Sequence, residues 1–114
     1  MSNIIDLSLS ELVSNIKNKK ISSNEATSTF VKRAKKSKHL NSYNEETFES
    51  ALKKAKEFDI KPDFNKKLPG IPMAVKDLFC TKNVKTTASS KILSNFIPTY
   101  ESTVTQNLWN EGAI

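Results

Sequence analysis

The pattern of hydrophobic and polar positions predicts three helices in the first half of the chain. A serine followed three residues later by a glutamate, the signature of a capping box, occurs at Ser8 and again at Ser22. Apolar residues at helical spacing follow each box, and a third apolar stripe lies further along the chain. The three stripes are Leu9, Leu12, Val13 and Ile16; Ala26, Phe30, Val31 and Ala34; and Phe48, Ala51, Leu52, Ala55 and Phe58. Residues 1–60 are therefore predicted to form an N-terminal helical segment.

The pattern changes near residue 61. The sequence DIKPDFNKKLPGIP contains three of the four prolines and one of the two glycines of the chain, which is typical of a loop. The short apolar run IPMAVKDLF follows the Pro69–Gly70 turn signal and predicts a buried strand. A fourth helix is predicted from Ser102 to Asn110, with Gly112 at its C-terminal end.

A helix that ends at a glycine and is followed by small apolar residues often leads into the next strand of a βαβ unit. The chain has only the residues Ala113 and Ile114 after that glycine. One or two strands do not form a stable sheet alone. Residues 61–114 are therefore predicted to be the beginning of a truncated α/β core, and the chain is interpreted as a fragment.

The charge of the chain makes a nucleic acid a candidate partner. The 114 residues include 18 basic and 12 acidic side chains, a net charge of +6. Only Arg33 is an arginine, the side chain best suited to bidentate recognition of phosphate or guanine. The lysines also do not alternate with aromatic residues as they do in base-stacking surfaces. Solvated helix faces are the preferred interpretation, and a helical adaptor or RNA-binding module stays open as an alternative.

Other features limit the class of protein. No apolar stretch approaches the roughly 20 residues needed to cross a bilayer, and the start, MSNIIDLSLSELV, lacks the basic and apolar regions of a secretory signal. The single cysteine, Cys80, has no partner for an intrachain disulfide, and no cluster of histidines and cysteines predicts a metal site. We expect a cytoplasmic protein without a membrane partner, and no metal-ligating or cofactor-binding residues in this segment.

Lys76 is the candidate catalytic residue. It follows an apolar run and stands directly before Asp77. A lysine at the end of a strand is most often a surface residue paired with an acid or with solvent. Successive strand residues point to opposite faces, however, so Asp77 is predicted to point away from Lys76. A lysine that other segments cover has its pKa lowered from roughly 10.4 toward about 7–8 and can then accept a proton from a serine hydroxyl.

The sequence resembles a known family. The stretch LPGIPMAVKD, followed by TKNVKTTASSKILSNFIPTYESTVTQNLWNEGAI, is similar to the amidase-signature enzymes, and SELVSNIKNKKISSNEAT resembles their early helices. The pieces TTASSKIL and PTYESTV are more similar to the A subunits of glutamyl-tRNA(Gln) and aspartyl-tRNA(Asn) amidotransferases than to general amidases. The resemblance covers nearly the whole chain. It implies N-terminal helices followed by the first strand or strands and helix of an incomplete mixed-sheet α/β core.

The resemblance also implies a catalytic triad. In this family a lysine is the base, a bridging serine relays the proton, and a second serine attacks the amide carbon. Lys76 matches the lysine. Both serines belong to a glycine- and serine-rich stretch that this segment does not contain. Ser89 and Ser90 fall in the loop after the lysine strand, and structural hydroxyls are the better interpretation for them.

The implied activity is that of a carbon–nitrogen ligase with glutamine as the nitrogen donor. Glutamine is hydrolysed through an acyl-enzyme, and the ammonia passes to a partner subunit that amidates an ATP-activated glutamyl- or aspartyl-tRNA. The expected partners are subunits B and C, and tRNA is expected mainly on the partner. ATP, with magnesium, is used by the whole complex. The segment alone is expected to be inactive. Another amidase-signature hydrolase, acting on a small amide, is the alternative enzyme.

Overall fold

The computed structural model describes residues 3–114. Met1 and Ser2, which begin the predicted helical segment, lie outside the described residues. The four predicted helices are confirmed, and two short 3-10 helices accompany them. The α-helices are α1 (Leu9–Lys17), α2 (Ser23–Lys36), α3 (Phe48–Ile60) and α4 (Thr103–Asn110), and the 3-10 helices are Ile4–Asp6 and Lys38–Leu40.

The starts of α1 and α2 are fixed by hydrogen bonds to backbone N–H groups that have no partner within the helix. At α1 both halves of the capping box form: the Ser8 hydroxyl accepts from Glu11 N (3.3 Å), and the Glu11 carboxylate accepts from Ser8 N (2.8 Å). At α2 the Ser22 hydroxyl accepts from Glu25 N (3.0 Å). Both capping serines therefore act at the positions that the sequence predicts.

Asp59 links the end of α3 to the start of α2. Its two carboxylate oxygens accept hydrogen bonds from Ser23 N and Asn24 N, both at 2.9 Å. A negative charge is also favourable at a helix N-terminus, because the helix dipole is positive there. Helices α2 and α3 pack against each other, and this contact fixes how their ends meet.

Replacing Asp59 with alanine is expected to lower the free energy of unfolding by about 1–2 kcal/mol, the usual effect of losing a helix N-cap. Glu57→Ala is the matched control, since Glu57 lies in the same part of α3 and its carboxylate, among residues 3–114, makes only an exposed pair with Lys53 at 4.0 Å. Its effect is expected to stay below about 0.5 kcal/mol. Urea unfolding followed by circular dichroism measures both values, and equal effects of the two variants would show that Asp59 is not a cap.

The core lies where α1, α2 and the loop after α3 meet. Leu12, Ile16, Ala26 and Ile71 are buried together. Partly buried apolar side chains surround them and come from several segments up to residue 68: Ile4, Leu7, Val13, Ile21, Phe30, Phe58, Phe64 and Leu68. Ile71 is 2% exposed, so the start of the segment that carries Lys76 is anchored in this core.

Gly70 brings this segment against the start of α2. The Ser23 hydroxyl, completely buried, donates to Gly70 O (2.6 Å). A Cβ atom at residue 70 would lie 2.7 Å from Phe58 Cδ1 and 2.7 Å from Ser23 Oγ, and the φ angle of Gly70 is +64°. Both the space and the backbone conformation therefore require glycine.

Residues 3–114 form a helical fold, and the predicted strand and mixed sheet are not seen among them. Residues 71–76, which we call the lysine segment, begin a parallel pairing: Ile114 N donates to Ile71 O and Met73 N donates to Ile114 O, both at 2.8 Å. Beyond this point the N–H groups of residues 74–76 donate to no acceptor within 3–114. A strand needs a continuous ladder, and here the ladder stops after one residue.

Helix α4 is attached at both ends to the region around Lys76. At its start Ser102 N donates to Cys80 O (2.8 Å), and after its end Gly70 N donates to Gly112 O (2.9 Å). The segment between Gly70 and Cys80 is therefore held at its two ends by one helix. Among residues 3–114, no helix combines the length and the apolar character that a membrane crossing requires.

Candidate functional site

A groove of about 930 Å³ lies between α2, α3 and residues 72–79. Its helical walls are mostly apolar and include Phe30, Val31 and Ala51. Lys76 and Asp77 line the opposite wall. The groove therefore places a titratable pair of side chains against an apolar surface, as is common in binding sites.

Lys76 is exposed and makes no ion pair with the described part of the chain. No carboxylate oxygen of residues 3–114 lies within 4.0 Å of its Nζ, and the ion pairs found there are Lys38–Glu46 and Lys53–Glu57. Its own backbone is fixed, because Lys76 O accepts from the N–H groups of Leu78 (2.7 Å) and Phe79 (3.2 Å). Lys76 therefore lies on a fixed turn, and its ammonium forms no ion pair with an acidic side chain of residues 3–114.

Asp77 binds partners other than Lys76, although the strand on which the predicted alternation of side chains depends is not present among residues 3–114. Its carboxylate accepts from Thr87 N (2.7 Å), from Thr87 Oγ1 (2.5 Å) and from Asn44 Nδ2 (2.9 Å). Asn44 Nδ2 also donates to Ser89 Oγ (3.1 Å). Asp77 therefore joins three segments: the loop before α3, the turn after Lys76, and the loop of residues 86–90.

The loop of residues 86–90 has a strained backbone. Ala88 and Ser89 have φ angles of 48° and 56°, the left-handed region that non-glycine residues avoid. Hydrogen bonds hold this conformation: Ser89 N donates to Thr87 Oγ1 (3.2 Å), and Ser90 N donates to Thr87 O (2.8 Å). Both bonds converge on Thr87, the residue that Asp77 binds through two atoms.

The environment of Asp77 alters its titration. Burial raises the pKa of its carboxyl, but the hydrogen bonds from Thr87 and Asn44 together outweigh burial and lower that pKa below its ordinary value of 3.8. The ionised carboxylate is therefore the form that the folded structure favours. Its contribution to stability is present above pH 3.8 and is lost as the pH falls through the lower pKa of the folded state.

We expect the amide of Thr87 to report this titration. Its nitrogen and proton chemical shifts should move with a midpoint below pH 3.8, because protonation weakens the bond that its N–H donates. Acid titration of the isotope-labelled chain by two-dimensional NMR measures the midpoint. Asp77→Asn is the control and should remove the transition. A midpoint above 3.8 in the unsubstituted chain would contradict the assignment.

Ser89 has the structural hydroxyl that the sequence predicts, whereas for Ser90 only the backbone N–H, and not the hydroxyl, is hydrogen-bonded among residues 3–114. Ser89 Oγ accepts from Asn44, and the backbone of each serine is bound to Thr87. Sequence reasoning did not identify Asn44 or Thr87 as part of the site. Both lie in loops that have no periodic pattern. The sequence indicated only that Asp77, if it points away from Lys76, needs other hydrogen-bond partners.

Comparison with known proteins defines the family of this chain. A sequence model of the family described as Amidase matches residues 25–114. The chain belongs to the amidase family. The match includes the lysine segment, Lys76, the Asp77 partners and all of α4.

The amidase chain is similar over its whole length to proteins described as the A subunit of glutamyl-tRNA(Gln) amidotransferase. The protein from Pelagibacter ubique (strain HTCC1062) is 68% identical over 114 residues, which are 100% of this chain and 24% of the relative. Those from Hyphomonas neptunium (strain ATCC 15444) and Rickettsia bellii (strain OSU 85-389) are 47% and 46% identical over 116 residues, again 100% of this chain and 24% of each relative. The chain spans about a quarter of the length of these proteins.

A solved structure has a similar fold. It is described as "An unexpected vestigial protein complex reveals the evolutionary origins of an s-triazine catabolic enzyme", and it matches with a TM-score of 0.84 at 25% sequence identity. The match covers 95% of this amidase chain and 25% of the other chain. The helices and the irregular region between α3 and α4 therefore have a counterpart in a protein that is about four times longer.

Proposed function

We propose that this amidase chain forms the N-terminal part of the glutamine-hydrolysing subunit of a tRNA amidotransferase. The observation that carries the proposal is the 68% identity to the A subunit of a glutamyl-tRNA(Gln) amidotransferase over every residue of the chain. The chemistry proposed for the complete subunit is that of an amidase, in which a serine attacks the amide carbon of glutamine and ammonia leaves.

Within this function Lys76 is proposed to be the proton acceptor. An ammonium paired with a carboxylate is held in its protonated form and is a poor base. The ammonium of Lys76 has no acid within 4.0 Å among residues 3–114, and the neighbouring carboxylate is bound to Thr87 and Asn44. The bridging serine that relays the proton and the nucleophilic serine are proposed to come from outside this segment.

Residues 61–114 are proposed to begin the α/β core of the complete subunit, with residues 1–60 as its N-terminal helical segment. The parallel pairing of the lysine segment with Ile114 supports this division. Apolar exposure supports it as well: Ile92 is 94% exposed and Ile60 84% exposed. We propose that further segments of the complete subunit cover these apolar side chains.

The complete subunit is proposed to act with partner subunits B and C in the cytoplasm. Ammonia released from glutamine passes to a partner that amidates glutamyl-tRNA(Gln), or aspartyl-tRNA(Asn), after activation by ATP with magnesium. All but one of the chain's basic side chains are lysines, which lack the bidentate geometry of arginine, so tRNA is proposed to bind mainly to the partner. The segment alone is proposed to be inactive, because it supplies only the lysine of the triad.

The test uses a joined protein, in which this chain replaces the matching N-terminal residues of the Pelagibacter ubique subunit. The alignment covers 114 residues of this 114-residue chain, so the junction falls at Ile114. Produced with its partner subunits, the joined protein is expected to hydrolyse glutamine within about tenfold of the parent, since the groups that contact the reacting atoms are retained. A joined protein that is folded and assembled but does not hydrolyse glutamine would contradict the proposal.

The joined protein also distinguishes the amidotransferase subunit from the alternative enzyme, a hydrolase of small amides. The family match is to amidases in general, which favours a hydrolase of small amides as the second candidate. Such an enzyme would hydrolyse a small amide such as propionamide without subunits B and C, ATP or tRNA. Glutamine hydrolysis that depends on the partner subunits supports the amidotransferase, and small-amide hydrolysis that does not depend on them supports the alternative.

A further inference from the structure

We propose that Asp77 is a positioning residue for Lys76: held by Thr87 and Asn44, its carboxylate fixes the turn from which the lysine side chain projects into the groove. This inference rests on the proposed function, because it assigns Asp77 a part in the same site. It assigns no proton transfer to Asp77. The geometry that supports it is a set of short hydrogen bonds from two loops to one carboxylate.

The carboxylate of Asp77 joins distant parts of the chain. Three donors reach it at 2.5–2.9 Å, one from the backbone and two from side chains. Charge-assisted bonds of this length are roughly twice as strong as neutral ones. Two of the donors belong to Thr87, and the third, on Asn44, lies 33 residues away along the chain. The carboxylate is therefore a junction between segments that are distant in sequence, and the Asn44–Ser89 hydrogen bond joins two of the same segments.

The strained loop depends on the same carboxylate. Two successive non-glycine residues with positive φ, Ala88 and Ser89, are energetically unfavourable and persist only where surrounding contacts fix them. The contacts that do so run through Thr87, whose hydroxyl donates to Asp77 while it accepts from Ser89 N. The hydrogen bond from Thr87 Oγ1 to Asp77 therefore stabilises the conformation of the strained loop.

The backbone connects this junction to Lys76. The two residues are adjacent in sequence, and Lys76 O accepts from both Leu78 N and Phe79 N, so Asp77 lies inside the turn that Lys76 begins. Fixing the Asp77 side chain fixes the backbone of this turn. It also keeps the carboxylate away from the lysine ammonium, since no carboxylate oxygen of residues 3–114 lies within 4.0 Å of Lys76 Nζ. A catalytic group needs this kind of fixed direction, because a displacement of about 1 Å can lower a rate by about 100-fold.

The experiment measures kcat and KM for glutamine hydrolysis by variants of the joined protein in complex with its partner subunits. Thr87→Val keeps the shape of the side chain but removes the hydroxyl donor, and kcat is expected to fall about tenfold with KM changed less than about twofold. Asp77→Ala removes the junction, and kcat is expected to fall about 100-fold. Thr87→Ser restores the hydroxyl and is expected to restore kcat to within about threefold of the parent.

A matched control separates positioning from general loss of stability. Asp59→Ala removes a carboxylate that also accepts two backbone bonds, but it lies at the start of α2, and its kcat is expected to equal that of the parent. Thermal unfolding is recorded for every variant. The positioning role is overturned if Thr87→Val and Asp77→Ala retain the parent kcat, or if Thr87→Ser fails to restore it. It is also overturned if Asp59→Ala lowers kcat as much as they do.

Lys76→Ala serves as the reference that separates the two proposals. If this variant is inactive while the Asp77 and Thr87 variants keep the parent kcat, only the positioning role of Asp77 is wrong. If Lys76→Ala retains activity, the proposed role of Lys76 fails, and the positioning role fails with it.

Discussion

Replacing Gly70 with alanine is expected to lower the free energy of unfolding by about 2–4 kcal/mol. Two independent causes contribute. The φ angle of +64° is unfavourable for any residue with a side chain, and the added Cβ would lie within 2.8 Å of Phe58 and of Ser23. The Ser23 hydroxyl is not free to move away, because it is completely buried and donates to Gly70 O at 2.6 Å.

Gly112→Ala is the matched control for this prediction. Its φ angle of +91° brings the same kind of backbone penalty, but the nearest contacts of an added Cβ are 3.2 Å, to Leu68 O and Lys66 Cβ. Its effect is expected to be about 1–2 kcal/mol, the backbone term with little steric overlap. Chemical denaturation of both variants gives the comparison. An effect of Gly70→Ala no larger than that of Gly112→Ala would show that the contact with α2 is not tight.

The contact between Gly70 and α2 also affects the position of Lys76 on the groove. Gly70 and Ile71 fix the start of the lysine segment on the core, and Lys76 lies five residues after Ile71 on the groove. A shift at Gly70 would therefore be transmitted along the lysine segment. In the joined protein, Gly70→Ala is expected to lower glutamine hydrolysis together with stability, whereas Asp59→Ala is expected to lower stability alone.

The helices were predictable because their determinants are local. The capping serines Ser8 and Ser22 lie next to the apolar stripes that they precede, and each accepts the hydrogen bond that its position predicts. The role of Asp59 at the start of α2 was not predictable, since it joins positions 35 and 36 residues apart. The strand predicted for the lysine segment could not be verified from its hydrophobic pattern alone. Its apolar run is typical of a strand, but a strand forms only when neighbours supply a ladder, and residues 3–114 supply only Ile114.

The site was predictable in part. Strand alternation predicted that Asp77 points away from Lys76. The strand does not form among residues 3–114, but the Asp77 carboxylate does bind other groups, those of Thr87 and Asn44. Those partners were not found from sequence, because hydroxyl and amide side chains in loops occur too often to indicate a site. The catalytic role of Lys76 depends on serines outside this segment and stays a prediction.

Substitution of Lys76 with alanine in the joined protein is expected to lower the rate of glutamine hydrolysis by about 100-fold or more, the usual effect of losing a general base. The reason is chemical: Lys76 is proposed to accept the proton of a relay serine, and the alanine variant has no amine at this position of the groove. Lys91→Ala is the matched control. Lys91 is exposed, lies beyond the strained loop and does not line the groove, and its replacement is expected to leave the rate unchanged.

The proposed role of Lys76 as a proton acceptor is tested most directly by kcat for glutamine hydrolysis by Lys76→Arg in the joined protein with its partner subunits. Arginine keeps the positive charge and a similar reach, but it stays protonated at every pH at which proteins function and cannot act as a base. We expect a loss of about 100-fold, equal to that of Lys76→Ala. A kcat within about threefold of the parent would contradict the proposed role, because it would show that residue 76 supplies only a charge.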